Sequence, residues 1–503
     1  MSMGIQLKID VLAWAGFIAA LTATTIGCGA DDTFSDEGSA CVPSANEERV
    51  DAQCGIWVSV KGDDGNAGSP GAPVRTITEA IDRAWPRGKR IYLCAQTFDE
   101  AVLVPGGYTL YGGLDCDHDW RWVGDRVKTT LTAPEGEVPL SVNGAVDYTT
   151  LEDLHVLARS IDPARTDLAG ASSIAVITRA VPMIVKRSTL QAGDAAPGAP
   201  GEEVGSERAL AGANGNVGNA ACTASTVLGG AAVTNTCGTP DDRSDDSRSG
   251  SGGTGEITSG GDGDSGGPYG PSNDGAGETE TAACTPGKQG APGIDGIAGR
   301  GATGIGLFTL EGYLGIPGED GTPGEPGQGG GGGGGAKGGA GALMCPFAAS
   351  AGGAGGGSGG AGGCGGLGGR GGGAGGVSVA IAALSAWTSF EDVVLITGRG
   401  GDGGDGSPGQ QGGNGGDGGD GGILGKAADL NAACRGGRGG NGGTGGHGGG
   451  GLGGHSIAIA YRIWEPSLDR VTITVGEAGI GGRGATAELN GGDGVKAEIY
   501  DIE

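Results

Sequence analysis

The chain has 503 residues, of which 121 are glycine and only 4% are aromatic, and its formal net charge at pH 7 is −28. So few large apolar side chains cannot build one ordinary core along the whole length, so much of the chain must be loop-like or repetitive. The negative charge repels phosphate backbones, which proteins bind through clustered Lys and Arg, and this argues against nucleic acid as a partner.

At the N-terminus Lys8 precedes the apolar run 11–21 (VLAWAGFIAAL), and small and hydroxyl residues follow as far as Gly27. A membrane-spanning helix needs about 20 apolar residues, so the run is too short to span, and 1–27 has the layout of a signal peptide. Its closing residues Thr25, Ile26, Gly27 and Cys28 resemble the lipobox of bacterial lipoproteins, with Thr25 where leucine is usual. The resemblance implies lipidation of Cys28 and a cell-surface protein anchored in the outer membrane. Residues 28–53 are polar and charged and read as a tether. The other ten cysteines, at 41, 54, 94, 116, 222, 237, 284, 345, 364 and 434, contain no CxxC pair. An even number in an exported chain predicts disulfides and not zinc.

Texture changes at residue 54. The stretch 54–84 reads as a short strand, a turn rich in Asp, Gly and Asn, and a helix with Ile77, Ala80, Ile81 and Ala84 on one face. In the turn, GDDGN (62–66) is Asx-turn chemistry. Beyond it come IYL, AVLV, YTLYG, LSV and LHVLA, each too short to be stable alone, which can bury a continuous apolar column only by stacking round on round. With its rung-like stretch IYLCAQTFDEAVLVPGGYTLYGGLDC (91–116), the region 54–158 resembles the N-terminal cap and first rungs of pectin-lyase-like right-handed β-helices.

Three later segments superpose without gaps, starting at Ser173, Ser378 and Ser456 and ending 20 positions on at Gly193, Gly398 and Gly476. Apolar residues recur at Ile174, Val379 and Ile457, at Val176, Ile381 and Ile459, and at Leu190, Leu395 and Ile473. This is one coil repeated three times. The expected fold is therefore all-β, a right-handed parallel β-helix with a short N-terminal helical cap. Its parts are 54–193 (cap and first coils), the glycine-rich and collagen-like insertion 194–377, the coil 378–398, a second glycine-rich insertion 399–455, and the terminal coils 456–503. Both insertions leave after the same glycine and return before the same serine, so they emerge from one corner. Within them 240–281 reads as disordered or loosely held, while glycines at every third position from 287 to 299, from 315 to 327 and through 400–422 predict polyproline-II or polyglycine strands laid side by side. Cys94 and Cys116 are spaced like neighbours on adjacent coils, about 4.8 Å apart, within the reach of a disulfide. Cys222 with Cys237 is the second expected pair, as a local loop closure.

Candidate chemistry is sparse. Gly400 to Asp405 and Gly412 to Asp417 partly resemble the calcium-binding nonapeptide of toxin-type β-rolls, which would make Asp402, Asp405, Asp417 and Asp420 oxygen ligands. Ser407 and Gly419 replace the apolar position, however, and the copies lie twelve residues apart instead of nine, so solvated turn carboxylates are the plainer reading and no cofactor is expected. Asp115, Asp117, His118 and Asp119 beside Trp120 and Trp122 form the densest polar and aromatic cluster, suited to a sugar or a metal, or else to a loop whose tryptophans cover a coil. Lys186, Glu391 and Asp469, followed by Arg187, Asp392 and Arg470, occupy matching coil positions, and their mixed signs predict an ion-pair ladder. No Ser/His/Asp arrangement, P-loop or HExxH motif is present. As a whole the chain resembles the large glycine-rich surface lipoproteins of myxobacteria. That resemblance brings no defined biochemistry, and the chain is best read as a non-enzymatic structural or adhesive protein presenting an acidic glycine-rich face, with the outer membrane, extracellular polysaccharide or other surface proteins as partners. The alternative is a carbohydrate-active β-helix enzyme of the polysaccharide-lyase kind.

Overall fold

The computed structural model of the chain describes residues 40–46, 49–85, 88–144, 147–238, 241, 243–268, 270–341, 343–345, 350–424 and 429–503. The expected signal peptide and Cys28 lie outside the described residues. Most strands belong to three parallel sheets, which the chain visits in rotation. The first holds Ile56–Val58, Arg90–Cys94, Thr109–Asp115, Thr149–Glu152, Met183–Lys186, Thr388–Glu391 and Ser467–Asp469. The second holds Thr97–Asp99, Thr129–Thr132, Leu154–Ala158, Thr189–Ala192, Val394–Ile396 and Thr472–Thr474. The third holds Val102–Pro105, Leu140–Asn143, Ser173–Arg179, Ser378–Leu384, Ser456–Arg462 and Lys496–Asp501.

Register in each sheet stacks like on like. In the first, Ile56, Ile91, Leu110, Leu151, Val185, Phe390 and Leu468 form one inward column. The second aligns Phe98, Leu131, Val156, Leu190, Leu395 and Ile473. The third aligns Val102, Leu140, Val176, Ile381, Ile459 and Ile499. Every column member before the last is buried in one shared core. A strand of three to five residues gains little alone. Each buried aliphatic or Phe side chain contributes about 1.5–3 kcal/mol, so stability accumulates by stacking.

The first round is closed by the helix Ile77–Ala84, whose buried residues are the four on the expected face, Ile77, Ala80, Ile81 and Ala84. Thr76 caps it by accepting the Glu79 N–H at 3.2 Å. The preceding turn is pinned by Asp63, which accepts the Gly65 N–H at 2.8 Å, and by Asp64, which accepts those of Arg75 and Thr76.

The 20-residue serine-to-glycine spacing has a physical cause. Ser173, Ser378 and Ser456 pair in register and are buried. The Gly193 N–H donates to Ser173 Oγ at 2.8 Å, and that of Gly398 to Ser378 Oγ at 2.9 Å. Ser378 Oγ donates in turn to Gly193 O, and Ser456 Oγ to Gly398 O. Each hydroxyl thus closes the corner where an insertion leaves, and satisfies backbone groups that the sheets cannot.

Outside this corner the insertions form a single ordered body of extended chains. Along 401–422 every third N–H donates to the antiparallel row 355–376: Gly401 to Gly376, Gly404 to Gly373, Ser407 to Arg370, and so on to Gly422 with Gly355. The intervening positions serve other rows, Gly400, Gly403 and Gly406 donating to Glu477, Ile480 and Arg483. A chain with three residues per turn has no internal hydrogen bonds, so all of its backbone groups are available to neighbours. A fully enclosed row therefore needs glycine on all three faces, as Gly329 to Gly335 show: all are buried, with rows 248–254, 273–276 and 434–437 around them. The described residues of the stretch 240–281, expected to be disordered or loosely held, belong to this body. Gly250, Gly253 and Gly263 donate to Gly330, Gly333 and Gly275, because glycines placed among its Ser and Asp residues give it two bonding faces.

Five disulfides pair all ten cysteines among the described residues. Cys94 is joined to Cys116 across adjacent rounds. The expected Cys222–Cys237 closure is not formed. Cys222 is joined to Cys345 and Cys237 to Cys364, because each lies beside a distant row and not beside the other. Five such bridges point to an oxidising, exported environment.

Candidate functional site

The loop after Thr109–Asp115 folds back as a short hairpin, with Leu114 opposite Trp122 and Asp115 opposite Arg121. Trp120 is buried, edge-on to Trp57 at 5.0 Å, and its Nε1–H donates to Pro70 O. Trp122 donates to Asp153 Oδ2 at 2.9 Å. Neither ring is an open platform for a sugar; both cover the first sheet, where Trp57, Tyr92 and Tyr111 stack on successive rounds at 4.6 and 5.4 Å. The carboxylates nearby do not converge. Asp115 holds His118 Nδ1 at 2.9 Å, Asp117 holds Lys61 Nζ at 3.1 Å, and Asp119 pairs with Arg49. The aromatic column escaped the sequence reading, although an aromatic at the second place of IWV and IYL and in LYG was its signal.

Below the aromatics the same outward column turns ionic: Glu152, Lys186, Glu391 and Asp469 follow Tyr111 in register. The adjacent turn position is left-handed in every round, at Asp153 (φ 58), Arg187 (φ 44), Asp392 (φ 54) and Arg470 (φ 51). Lys186 reaches Glu391 at 3.5 Å, and Arg470 is ringed by Asp392, Asp469 and Glu391 at 2.6, 2.6 and 3.2 Å. Exposed pairs of this kind contribute about 0–1 kcal/mol each.

Arg187 differs, because its partners are buried. It reaches Glu152 at 2.6 Å and Asp153 at 3.0 Å, also bonds Ser44 Oγ, and lies 6.0 Å from the Trp122 ring centroid. Burial alone would lower its pKa, but the hydrogen bonds and charge of Asp153 and Glu152 outweigh it and hold the guanidinium above its ordinary value. Replacing Arg187 with Ala would strand two buried carboxylates, a loss of about 3–5 kcal/mol. Calorimetric melts should show this, while Arg470→Ala should stay within about 1 kcal/mol of the parent.

The hairpin formed by Leu307–Thr309 and Gly312–Leu314 covers the third sheet. Where it meets the last rounds, His455 is fully buried, accepting the Val495 N–H at Nδ1 (2.8 Å) and placing Nε2 2.9 Å from Ile305 O and 3.3 Å from Tyr313 Oη. Burial lowers its pKa despite the Ile305 carbonyl. A depressed histidine stays neutral in the folded chain while the unfolded chain takes up a proton. Stability is therefore full above the unfolded pKa of about 6.5 and falls below it by up to about 1.4 kcal/mol per pH unit. Melts between pH 7.5 and 5 should show this slope, and His455→Asn should remove that part of it.

On the glycine body, Asp405, Pro408, Gln411, Asn414, Asp417 and Asp420 are exposed at every third position, with Asp402 half-buried at the head of the row. Arg435, Arg438, Asn441 and Thr444 form the neighbouring exposed row. Asp402 and Asp405 accept the Ile480 and Arg483 N–H groups, at 2.9 and 2.7 Å. Asp417 and Asp420 face Arg438 and Arg435 at 3.8 and 3.4 Å. The four candidate calcium ligands thus cap a neighbouring row or pair with arginine, as solvated turn carboxylates would, and do not share a centre. Among the described residues no group of three or more His, Cys, Asp or Glu is placed to hold a metal ion, and no helix is long and apolar enough to cross a membrane. Comparison with protein families, curated proteins and solved structures found no match to this chain.

Proposed function

We propose that the protein is a non-enzymatic structural or adhesive lipoprotein of the cell surface. In this reading the three sheets are the walls of a right-handed β-helix, which holds out the acidic glycine-rich body toward matrix polysaccharide or other cells, and lipidated Cys28 tethers the whole to the outer membrane. The observation that carries it is the exposed lattice of side chains on the glycine body, spaced about 9 Å along each row by the three-residue period. Such a surface is rigid and repetitive and poor in aromatic anchors, so individual contacts are weak and binding gains strength through many at once. A lyase-like reading finds less support, since the clustered carboxylates at Asp115, Asp117, Asp119 and around Arg470 are engaged with separate cations or one shared arginine.

The chain with Cys28→Ala, incubated with acidic and neutral polysaccharides with and without calcium, is expected to be retained saturably without new reducing or unsaturated ends. Product formation that disappears when Asp115, Asp117 and Asp119 become alanine would establish the enzyme instead. Labelling with palmitate, lost on Cys28→Ala, tests the anchor.

A further inference from the structure

The three inward columns end differently from how they run. Phe390, Leu395 and Ile459 are buried, yet their successors are not: Leu468 is 41% exposed, and Ile473 and Ile499 are only partly buried. The strands that carry them, Ser467–Asp469, Thr472–Thr474 and Lys496–Asp501, are the outermost of their sheets, each with a paired neighbour on one side only. An open apolar floor rimmed by three unpaired strand edges is a template for strand addition, and stacked repeats ordinarily shield their terminal unit with a polar cap. The opposite end has such a cover, the helix Ile77–Ala84 seated on the same core.

We propose that the open end is covered by a second copy of this chain, docked end to end about a two-fold axis. The helix obstructs head-to-tail stacking, which leaves the self-complementary arrangement. A two-fold axis through the third sheet and the opposite corner lays Lys496–Asp501 antiparallel on its own copy, so Lys496 at one end meets Asp501 at the other. It exchanges the first and second sheets, setting Leu468 of one copy against Ile473 of the other and Ser467 against Thr474. The glycine bodies, which leave between the second and third sheets, then occupy different corners. The apolar match of Leu468 with Ile473 under this two-fold favours a second copy over an unrelated partner, while Lys496 is already held by Glu477 of its own chain.

The test is the mass in solution of the full chain carrying Cys28→Ala, by sedimentation across the micromolar range. A dimer is expected. Leu468→Lys with Ile473→Lys should raise its dissociation constant roughly 100-fold or more by burying unpaired charge, and Leu103→Lys, at an exposed site near the capped end, should leave it unchanged. Because the lysine variant could misfold, a second variant carrying Ser467→Cys and Thr474→Cys should cross-link into a covalent dimer on oxidation. A monomer, an open-ended oligomer, a dimer indifferent to the lysines, or a monomer whose 467–474 amides resist exchange would each overturn the proposal.

Discussion

Reduction of the disulfides should dissolve the glycine body while leaving the stacked rounds folded. Cys222–Cys345, Cys237–Cys364 and Cys284–Cys434 close loops of 123, 127 and 150 residues. Closing a loop of about 100 residues constrains the unfolded chain by about 4.7 kcal/mol in the entropic account. The body has little else to offset its ordering. Its buried side chains are mostly absent, since they belong to glycine, and its small apolar cluster is chiefly alanine. Its hydrogen bonds contribute about 0.5–1.5 kcal/mol net apiece, against the large conformational entropy that glycine loses on folding. The rounds rest instead on the three aliphatic columns. Amide exchange with and without reductant is the measurement: protection across 196–219, 318–336 and 437–454 should fall to that of an open chain, and protection at Leu151, Val185 and Phe390 should persist. Replacing the Cys284–Cys434 pair with serine should alone cost about 4–5 kcal/mol. Uniform loss of protection, or none, would show that body and rounds do not differ in this way.

The second large effect concerns one methyl group. A Cβ at Gly332 would lie 1.8 Å from Ser251 O, and at Gly334 1.8 Å from Ala276 O. Both obstacles are backbone atoms already committed to neighbouring rows, so neither can turn aside as a side chain would. Gly332→Ala or Gly334→Ala should cost about 3 kcal/mol or more, at or beyond the upper end of overpacking. Gly492→Ala is the matched control. Its nearest neighbour would be 3.6 Å away, and the loss of freedom in the unfolded chain should stabilise the protein by about 0.4–1 kcal/mol. Thermal melts that rank the three alike would contradict a body packed row against row.

Much of the stacking was readable because apolar residues at fixed spacing admit one register. Ser173, Ser378 and Ser456 align as their sequence superposition requires, and Cys94 meets Cys116 because both sit on strands one round apart. Glycine rows carry no such information. Sliding GGDGGDG or GGNGGTGG by three residues restores the same pattern, so neither the partners of 401–422 nor those of 329–335 could be deduced. The distant disulfides supply what the tracts lack, each fixing one row against another at a single register, which is why Cys222 and Cys237 defeat a local pairing rule. The loop at Asp115 to Trp122 was ambiguous for another reason. Burial of Trp120 depends on Trp57, 63 positions earlier, and no local pattern reports it.

The enclosure of Gly329 to Gly335 by rows 248–254, 273–276 and 434–437 also dictates an order of assembly. The last of these rows emerges about a hundred residues after the segment it encloses, and the strand Ser378–Leu384 cannot dock on Ser173–Arg179 until nearly two hundred intervening residues have been made. Closing such a loop costs only logarithmically more than closing a short one, but contacts of this separation form slowly. A chain threaded outward from its N-terminus would therefore complete its first rounds early, then wait with one face of the 329–335 row uncovered until the 434–454 row arrives. During that interval any like tract is an acceptable neighbour, so faithful export should depend on keeping nascent copies apart.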